Sequence, residues 1–364
     1  MRDEIVKTLP LVVIAAAILW IPANAFDAVN DRLGLPVPHW LSEAPQDTSK
    51  ATLGKRLFFD KRLSADGTIS CASCHQPERG FTDGLPLARG LKGRVGTRHV
   101  PTIVNAAFLE SQFWDGRSST LEEQAREPFV NPAEHGLANE AQVVDIIADP
   151  SYRAAFVDAF GAAADPVSIA HVARALAAYE RTLIIGNAPF DRYEFAGQKD
   201  AIAAKAQRGL ELFRGRAQCV NCHTIGPRDA LFTDNRFHSL GVGLKRIEPR
   251  LAELATRVAN RPAHRLDHET LGNPELAELG RFLVTLNPAD IGRFKTPSLR
   301  NVAQTPPYMH DGSVATLEDA VERELYYRGI EMGRPLVLTP SEKAEIVEFL
   351  KTLTSPQFLR LAPP

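Results

Sequence analysis

The chain has 364 residues, of which 44% are hydrophobic and 24% are charged. This is the composition of an ordinary globular protein, and it excludes a disordered chain. The formal net charge of −2 provides no field that would gather nucleic acid, so DNA and RNA binding are excluded as functions.

The first 25 residues have the organisation of an export signal. A charged stretch precedes an apolar run from Leu9 to Ile21, and Ala23-Asn-Ala25 forms a cleavage site of the A-x-A type. Residues 1–25 are therefore predicted to be a signal peptide that sends the chain to the periplasm, with no membrane contact after cleavage. A buried helix and an uncleaved anchor stay open as alternatives, because Asp3 and Glu4 offset the positive charges near the N-terminus.

All four cysteines fall in two identical frames, Cys71-Ala-Ser-Cys74-His75 and Cys219-Val-Asn-Cys222-His223. C-x-x-C-H is the attachment signature of a c-type haem, in which the thiols bond to the porphyrin and the histidine binds iron. A redox-active C-x-x-C would need a βαβ context, and a four-cysteine zinc site would leave both histidines unexplained. The frames predict two covalently bound haem c groups.

The chain also repeats itself around these frames. Gly54-Lys-Arg-Leu-Phe58 precedes the first frame and Gly209-Leu-Glu-Leu-Phe213 precedes the second. Each half closes with a predicted amphipathic helix, over Val167–Leu183 and Ser341–Leu353. Strand patterns are scarce.

The fold class predicted from this repeat is all-α, with two cytochrome-c-like haem domains packed face to face. The boundary is placed in the stretch 186–197, which is rich in turn-forming residues. The predicted domains are therefore residues 26–197, with the peroxide-reactive haem, and residues 198–364, with an electron-transfer haem.

Several phrases, in order along the chain, resemble those of the bacterial di-haem cytochrome c peroxidases and their MauG relatives. They are Leu57-Phe-Phe-Asp-Lys-Arg-Leu-Ser64, Gly80-Phe-Thr-Asp-Gly84, Phe113-Trp-Asp-Gly-Arg117, Leu121-Glu-Glu-Gln-Ala125, Asn131-Pro-Ala-Glu134, Phe294-Lys-Thr-Pro-Ser-Leu-Arg-Asn301 and Pro307-Tyr-Met-His-Asp-Gly312. The resemblance implies an oxidoreductase that uses hydrogen peroxide at its first haem.

The resemblance places Gln124 and Glu134 over the open face of the first haem. Cleavage of a bound peroxide needs a group that takes a proton from one oxygen and returns it to the other, and a buried carboxylate has the raised pKa that this needs. Trp114 resembles the family tryptophan that lies between the two haems and couples them. The alternatives are a solvated loop carboxylate for Glu134 and a plain core aromatic for Trp114.

Two departures from the family pattern concern the iron ligands. Many members place a histidine in the stretch corresponding to residues 87–94, which here contains none, so the first haem is predicted to be open. His99 is interpreted as a loop histidine rather than a sixth ligand. At the second haem, the position that carries a methionine ligand in many members is Glu324.

The end of the same predicted helix, Tyr326-Tyr327-Arg-Gly329, is similar to the Tyr-x-Arg-Gly of MauG-type members, whose tyrosine binds iron. The resemblance therefore implies Tyr326 as a ligand of the second iron, with Tyr327 kept as an alternative. An anionic phenolate would stabilise oxidised iron. Simple packing of both tyrosines on an amphipathic helix also stays open.

A calcium ion between the haems is a further implication of the resemblance. Its backbone carbonyl ligands would be those of Thr305 and Pro307, and an asparagine ligand is replaced here by His99. Calcium prefers oxygen ligands, so the histidine counts against the site.

The predicted function is oxidation of aromatic residues on a periplasmic partner protein, as in MauG and MbnH-type members, the partner of the latter being a copper-binding protein. One alternative is a cytochrome c peroxidase that reduces hydrogen peroxide with electrons from a small cytochrome or cupredoxin. An alternative of another class is a non-catalytic electron carrier, which would have two closed haems.

Overall fold

The computed structural model describes residues 31–38, 48–162, 166–260 and 271–361. The predicted signal peptide, residues 1–25, lies outside the described residues. Within the described ranges, no helix is both long enough and apolar enough to cross a membrane.

Helices make up most of the regular structure. The α-helices, in chain order, are α1 (Thr48–Phe58), α2 (Cys71–Cys74), α3 (Leu121–Gln124), α4 (Glu127–Val130), α5 (Glu140–Ile146), α6 (Pro150–Phe160), α7 (Ile169–Glu180), α8 (Pro189–Phe195), α9 (Ala204–Arg214), α10 (Leu244–Ile247), α11 (Leu251–Ala259), α12 (Pro274–Ala277), α13 (Phe282–Thr285), α14 (Leu317–Glu331), α15 (Pro340–Lys351) and α16 (Pro356–Leu361). Short 3-10 turns lie at Lys61–Leu63, Pro77–Arg79, Leu91–Gly93, Ala106–Phe108, Cys219–Asn221, Glu248–Arg250, Pro288–Asp290 and Val302–Gln304.

Among the described residues, the strands are two residues long. β1 (Phe237–His238) pairs antiparallel with β2 (Phe294–Lys295). This mainly helical content agrees with the predicted all-α class.

The sequence repeat corresponds to a repeated pair of helices. In the first pair, α1 crosses α7 so closely that a Cβ atom at Gly54 would lie 1.8 Å from the carbonyl oxygen of Ala175. In the second, α9 crosses α15, and a Cβ atom at Gly209 would lie 1.9 Å from the carbonyl oxygen of Glu345. Only glycine permits this approach, which explains why both repeat phrases begin with that residue.

Two main hydrophobic cores surround these pairs. The first joins α1, α6 and α7, and includes Leu57, Tyr152 and Leu176. The second joins α9, α14 and α15, and includes Phe213 and Phe349. A smaller cluster holds α11 against α12 and α13.

The change from the first core to the second lies between Ile185 and Phe190, at the start of the predicted boundary stretch and not at its end. The stretch 186–197 contains α8, where turns were predicted, and Phe190 of this helix is fully buried in the second core. The second core therefore begins before residue 197. The C-terminal helix α16 follows the second core in the chain but packs on the first, in which its Phe358 is buried.

Candidate haem sites and the residues between them

Each cysteine frame lies at a large cavity. Cys74 and His75 line the first cavity, and Cys219, Cys222 and His223 line the second. The cavities enclose about 1760 Å³ and about 1540 Å³, counting their open mouths.

The two frame histidines are held in the same way. His75 follows directly after α2 and its Nδ1 donates to the carbonyl oxygen of Phe81 at 3.0 Å, while Nδ1 of His223 donates to that of Phe232 at 2.8 Å. A hydrogen bond at Nδ1 fixes the ring and leaves Nε2 to bind a metal. The donor set therefore fits a haem iron in both cavities.

None of the four cysteines forms a disulfide. Burial raises the pKa of Cys71, of Cys74 and of Cys219 to about 12. In the first frame, burial therefore opposes the lowered thiol pKa on which a redox-active C-x-x-C motif depends.

The predicted peroxide residues meet on the wall of the first cavity. Gln124 ends α3, and Glu134 lies in the turn that follows α4. Oε1 of Glu134 accepts a hydrogen bond of 2.6 Å from Nδ2 of Asn131. Burial raises the pKa of Glu134, although the charge of Arg117 opposes the rise. A carboxylate with a raised pKa beside a donor amide can exchange a proton with a ligand in the cavity.

The stretch 87–94 supports this turn. Gly90 lies so close that a Cβ atom there would be 2.0 Å from the carbonyl oxygen of Ala133, and the backbone N–H of Leu91 donates to the carbonyl oxygen of Glu134 at 3.2 Å. From this stretch, Ala88 and Gly90 line the first cavity. Neither has a side-chain atom that could bind iron.

Sequence reasoning missed two charged residues of the first cavity. Arg117 lines it with its guanidinium bonded to Asp115 and Glu127, although the residue ends one of the family phrases. Glu180, at the end of α7, is 6% exposed and also lines the cavity. Burial raises its pKa to about 8.

Trp114 and His99 each line both cavities. Nε1 of Trp114 donates to the carbonyl oxygen of His99 at 2.9 Å, and the carbonyl oxygen of Trp114 accepts from the backbone N–H of Lys295 at 2.8 Å. Nδ1 of His99 donates to the carbonyl oxygen of Leu85 at 2.9 Å. The tryptophan thus lies where the two cavities meet, as its predicted bridging role requires.

The predicted tyrosine ligand does not reach the second cavity. Tyr326 is 63% exposed, and neither Tyr326 nor Tyr327 lines the cavity. The two rings contact each other edge to face, with centroids 5.1 Å apart, and Tyr327 packs against Gly241. Because α14 is a continuous helix, it turns both side chains away from the cavity, and iron binding by Tyr326 or Tyr327 stays a prediction.

The residues predicted to hold calcium line the second cavity. Thr305 and Pro307 are on its wall, together with His99. Among the described residues, the groups of acidic, histidine and cysteine side chains close enough to share an ion do not include His99. Calcium binding stays a prediction.

Comparison with known proteins identifies the family. A family model described as di-haem cytochrome c peroxidase matches residues 48–200. The chain is 38% identical over 362 residues to the cytochrome-c peroxidase IdrP1 of Denitromonas iodatirespirans, covering 94% of this chain and 91% of that protein. The chain belongs to the di-haem cytochrome c peroxidase and MauG family.

Two further members lie on the MauG side of this family. The methylamine utilization protein MauG of Methylorubrum extorquens is 36% identical over 324 residues, covering 87% of this chain and 81% of its own length. A solved structure titled as a MauG-like protein associated with microbial copper homeostasis is 32% identical, with a TM-score of 0.70, and covers 91% of this chain and 96% of its own. Family membership makes this protein a di-haem, peroxidase-type oxidoreductase that uses hydrogen peroxide.

Proposed function

We propose that this enzyme reacts with hydrogen peroxide at its first haem and uses the oxidising equivalents to oxidise aromatic side chains of a periplasmic partner protein. The observation that carries the proposal is the position of Trp114, which contacts both cavities. An oxidising equivalent generated in the first cavity thereby has an aromatic route into the second. The periplasmic location is part of this proposal and rests on the predicted signal peptide.

The haem supplies an iron that binds hydrogen peroxide and accepts its oxidising equivalents. Glu134 moves the proton: one carboxyl oxygen is held by Asn131, and the other takes a proton from hydrogen peroxide and returns it to the oxygen that leaves as water. The Gln124 amide orients the peroxide from the same wall. The charge of Arg117, which is paired with Asp115 and Glu127, opposes the rise in the pKa of Glu134.

The overall reaction balances in electrons. Each hydrogen peroxide takes up two electrons and two protons and becomes two molecules of water. In the proposed reaction, both electrons come from aromatic side chains of the partner, which release two protons and form a new bond. A copper-binding protein is a candidate partner, since the MauG-like structural relative is associated with copper homeostasis.

A second candidate function is supported by the names of other relatives. The cytochrome c551 peroxidase of Nitrosomonas europaea is 37% identical over 322 residues. In this alternative, the two electrons come from a small cytochrome or cupredoxin, and no residue of the donor is changed permanently.

One experiment separates the two candidates. The purified protein is treated with one equivalent of hydrogen peroxide and then mixed either with a reduced small c-type cytochrome or with periplasmic proteins from its own cell. Protein oxidation predicts a permanent mass change on an aromatic residue of one partner, located by peptide mass spectrometry. Rapid oxidation of the cytochrome with no modified residue in any partner would favour the peroxidase.

A further inference from the structure

One face of α14 forms a wall of the second cavity. Its members recur at intervals of three and four residues, as one side of a helix requires, and they are Leu317, Ala320, Val321, Glu324, Leu325 and Arg328. Tyr326 follows Glu324 by two residues, which corresponds to a rotation of about 200° around the helix axis. This rotation is why Glu324 faces the cavity and Tyr326 faces solvent.

Three other donor side chains on this wall make hydrogen bonds. Nε2 of His310 binds Oε2 of Glu278 at 2.9 Å, and Nε2 of His238 binds Oδ2 of Asp234 at 2.8 Å. The hydroxyl of Tyr308 donates to a backbone carbonyl at 3.2 Å.

Glu324 differs from these residues in charge. Among the described residues that line the second cavity, it provides the only carboxylate. It shares the cavity with His223, the frame histidine whose Nε2 is left to bind iron. Arg328 lies one turn further along α14, and its Nη2 is 3.3 Å from Sγ of Cys222, so the guanidinium anchors this face of the helix beside the cysteine frame.

We propose that the carboxylate of Glu324, and not the phenolate of Tyr326, is the second protein ligand of the second haem iron, in addition to His223. A carboxylate is a hard, anionic oxygen donor that favours oxidised iron, whereas a thioether favours reduced iron. The assignment gives the second haem a low reduction potential by a different residue from the predicted tyrosine. It depends on the second haem alone, so it stands or fails independently of the substrate.

The test compares spectra and potentials of purified holoprotein variants. Glu324→Gln removes the anionic donor, and Glu324→Met replaces it with a thioether. The matched control is Glu322→Gln, on the same helix, whose side chain is 60% exposed and pairs with Lys343. Tyr326→Phe, Tyr327→Phe and Met309→Leu test the other donors on or near this wall. Electron paramagnetic resonance and resonance Raman spectra of the oxidised protein report the ligands, and spectroelectrochemistry reports each haem's potential.

If Glu324 binds the iron, the paramagnetic resonance and Raman signals of the second haem should change in both Glu324 variants. They should stay as in the wild type in the other four variants. Glu324→Met should also raise the potential of that haem and introduce the charge-transfer band of thioether-ligated oxidised haem. The first haem's signal should not move.

Opposite results overturn the assignment. Phenolate ring modes in the Raman spectrum of the wild type would show tyrosine ligation, and a thioether band in the wild type would show ligation by Met309. If the Glu324 variants lose haem, the wild-type Raman spectrum and the two tyrosine variants decide. A wild-type spectrum without phenolate modes, together with wild-type spectra in both tyrosine variants, supports Glu324. A changed spectrum in either tyrosine variant contradicts it.

Discussion

The indole Nε1 of Trp114 donates a 2.9 Å hydrogen bond to the carbonyl oxygen of His99, and both residues line the two cavities. The bond fixes the orientation of the ring at the place where the cavities meet. A phenylalanine in this position would lose the hydrogen bond, worth about 1 kcal/mol, and leave the carbonyl without this donor.

Trp114→Phe should therefore keep both haems and the reaction with hydrogen peroxide, but lose most of the oxidation of the partner protein. Stopped-flow absorbance after peroxide addition measures the first property, and peptide mass spectrometry of the partner measures the second. Haem content and the thermal unfolding temperature serve as controls for folding. Partner oxidation at the wild-type rate would remove Trp114 from the route between the cavities.

Glu134→Gln should slow the reaction with hydrogen peroxide by about two to four orders of magnitude, the usual effect of removing a positioned acid-base group. Haem content should not change. Glu140→Gln is a suitable control, because Glu140 forms a surface ion pair with Arg126. Wild-type rates in Glu134→Gln would leave the carboxylate with a structural role only.

The pH dependence of the same reaction follows from the raised pKa of Glu134. The carboxylate form is the one that accepts a proton, so the rate should fall as the pH drops through this pKa. Because burial raises the pKa, the fall should be centred above the usual glutamate value of 4.5. Stopped-flow rates across a pH series measure it, and Glu134→Gln should lack this acidic limb.

Glu180 should make the fold less stable at high pH. Burial raises its pKa from 4.5 to about 8, so between these values the folded state holds a proton that the unfolded state has lost. The free energy of unfolding should therefore decrease as the pH rises across this window and level off above it. Glu180→Gln should remove the decrease, so its gain over the wild type should be larger at pH 8 than at pH 4.5, as measured by denaturant unfolding. An equal effect at both ends would show that Glu180 is ionised in the folded protein.

Local sequence signals predicted the parts of the site that depend on neighbouring residues. The two C-x-x-C-H frames each lie at a cavity, and the phrases around Trp114 and Glu134 led to residues that line the first cavity. Such phrases work because a short loop fixes where its own side chains point.

The side of a helix that faces a cavity, and contacts between residues far apart in the chain, were harder to predict from the sequence. Tyr326 matched a four-residue phrase, but the spacing of Leu317, Val321 and Leu325 shows that the cavity side of α14 passes through Glu324. The turn-rich stretch 186–197 forms α8 because Phe190 enters the second core and Asp191 pairs at 2.5 Å with Arg300, which lies 109 residues further along the chain. No local pattern reveals a partner at that distance.

Covalent attachment of both haems can be checked directly. Thioether bonds survive unfolding, so the mature protein should keep two haem groups in acid, and intact-mass spectrometry counts them. Peptide mapping should find one group on the pair Cys71 and Cys74 and the other on Cys219 and Cys222. A mass that corresponds to one haem or none would contradict the cofactor prediction.

The two close glycine contacts allow each of the two main hydrophobic cores to be perturbed separately. Gly54→Ala would place a Cβ atom 1.8 Å from the carbonyl oxygen of Ala175, and Gly209→Ala would place one 1.9 Å from that of Glu345. Backbone atoms in paired helices cannot move aside, so each variant must force its helices apart. We expect a loss of about 3 kcal/mol or more in the free energy of unfolding, the upper end for overpacked sites.

The control for these variants is Gly197→Ala. Gly197 has a left-handed backbone, with a φ of +70°, and a Cβ atom there would have nothing within 4 Å. Gly197→Ala should therefore lower the free energy of unfolding only by the conformational strain of about 1–2 kcal/mol. Because α1 and α7 belong to the first core and α9 and α15 to the second, Gly54→Ala should lower haem attachment at Cys71 and Cys74, and Gly209→Ala should lower it at Cys219 and Cys222. Peptide mass spectrometry measures both, and equal losses at the two frames in either variant would show that the cores fold as one unit.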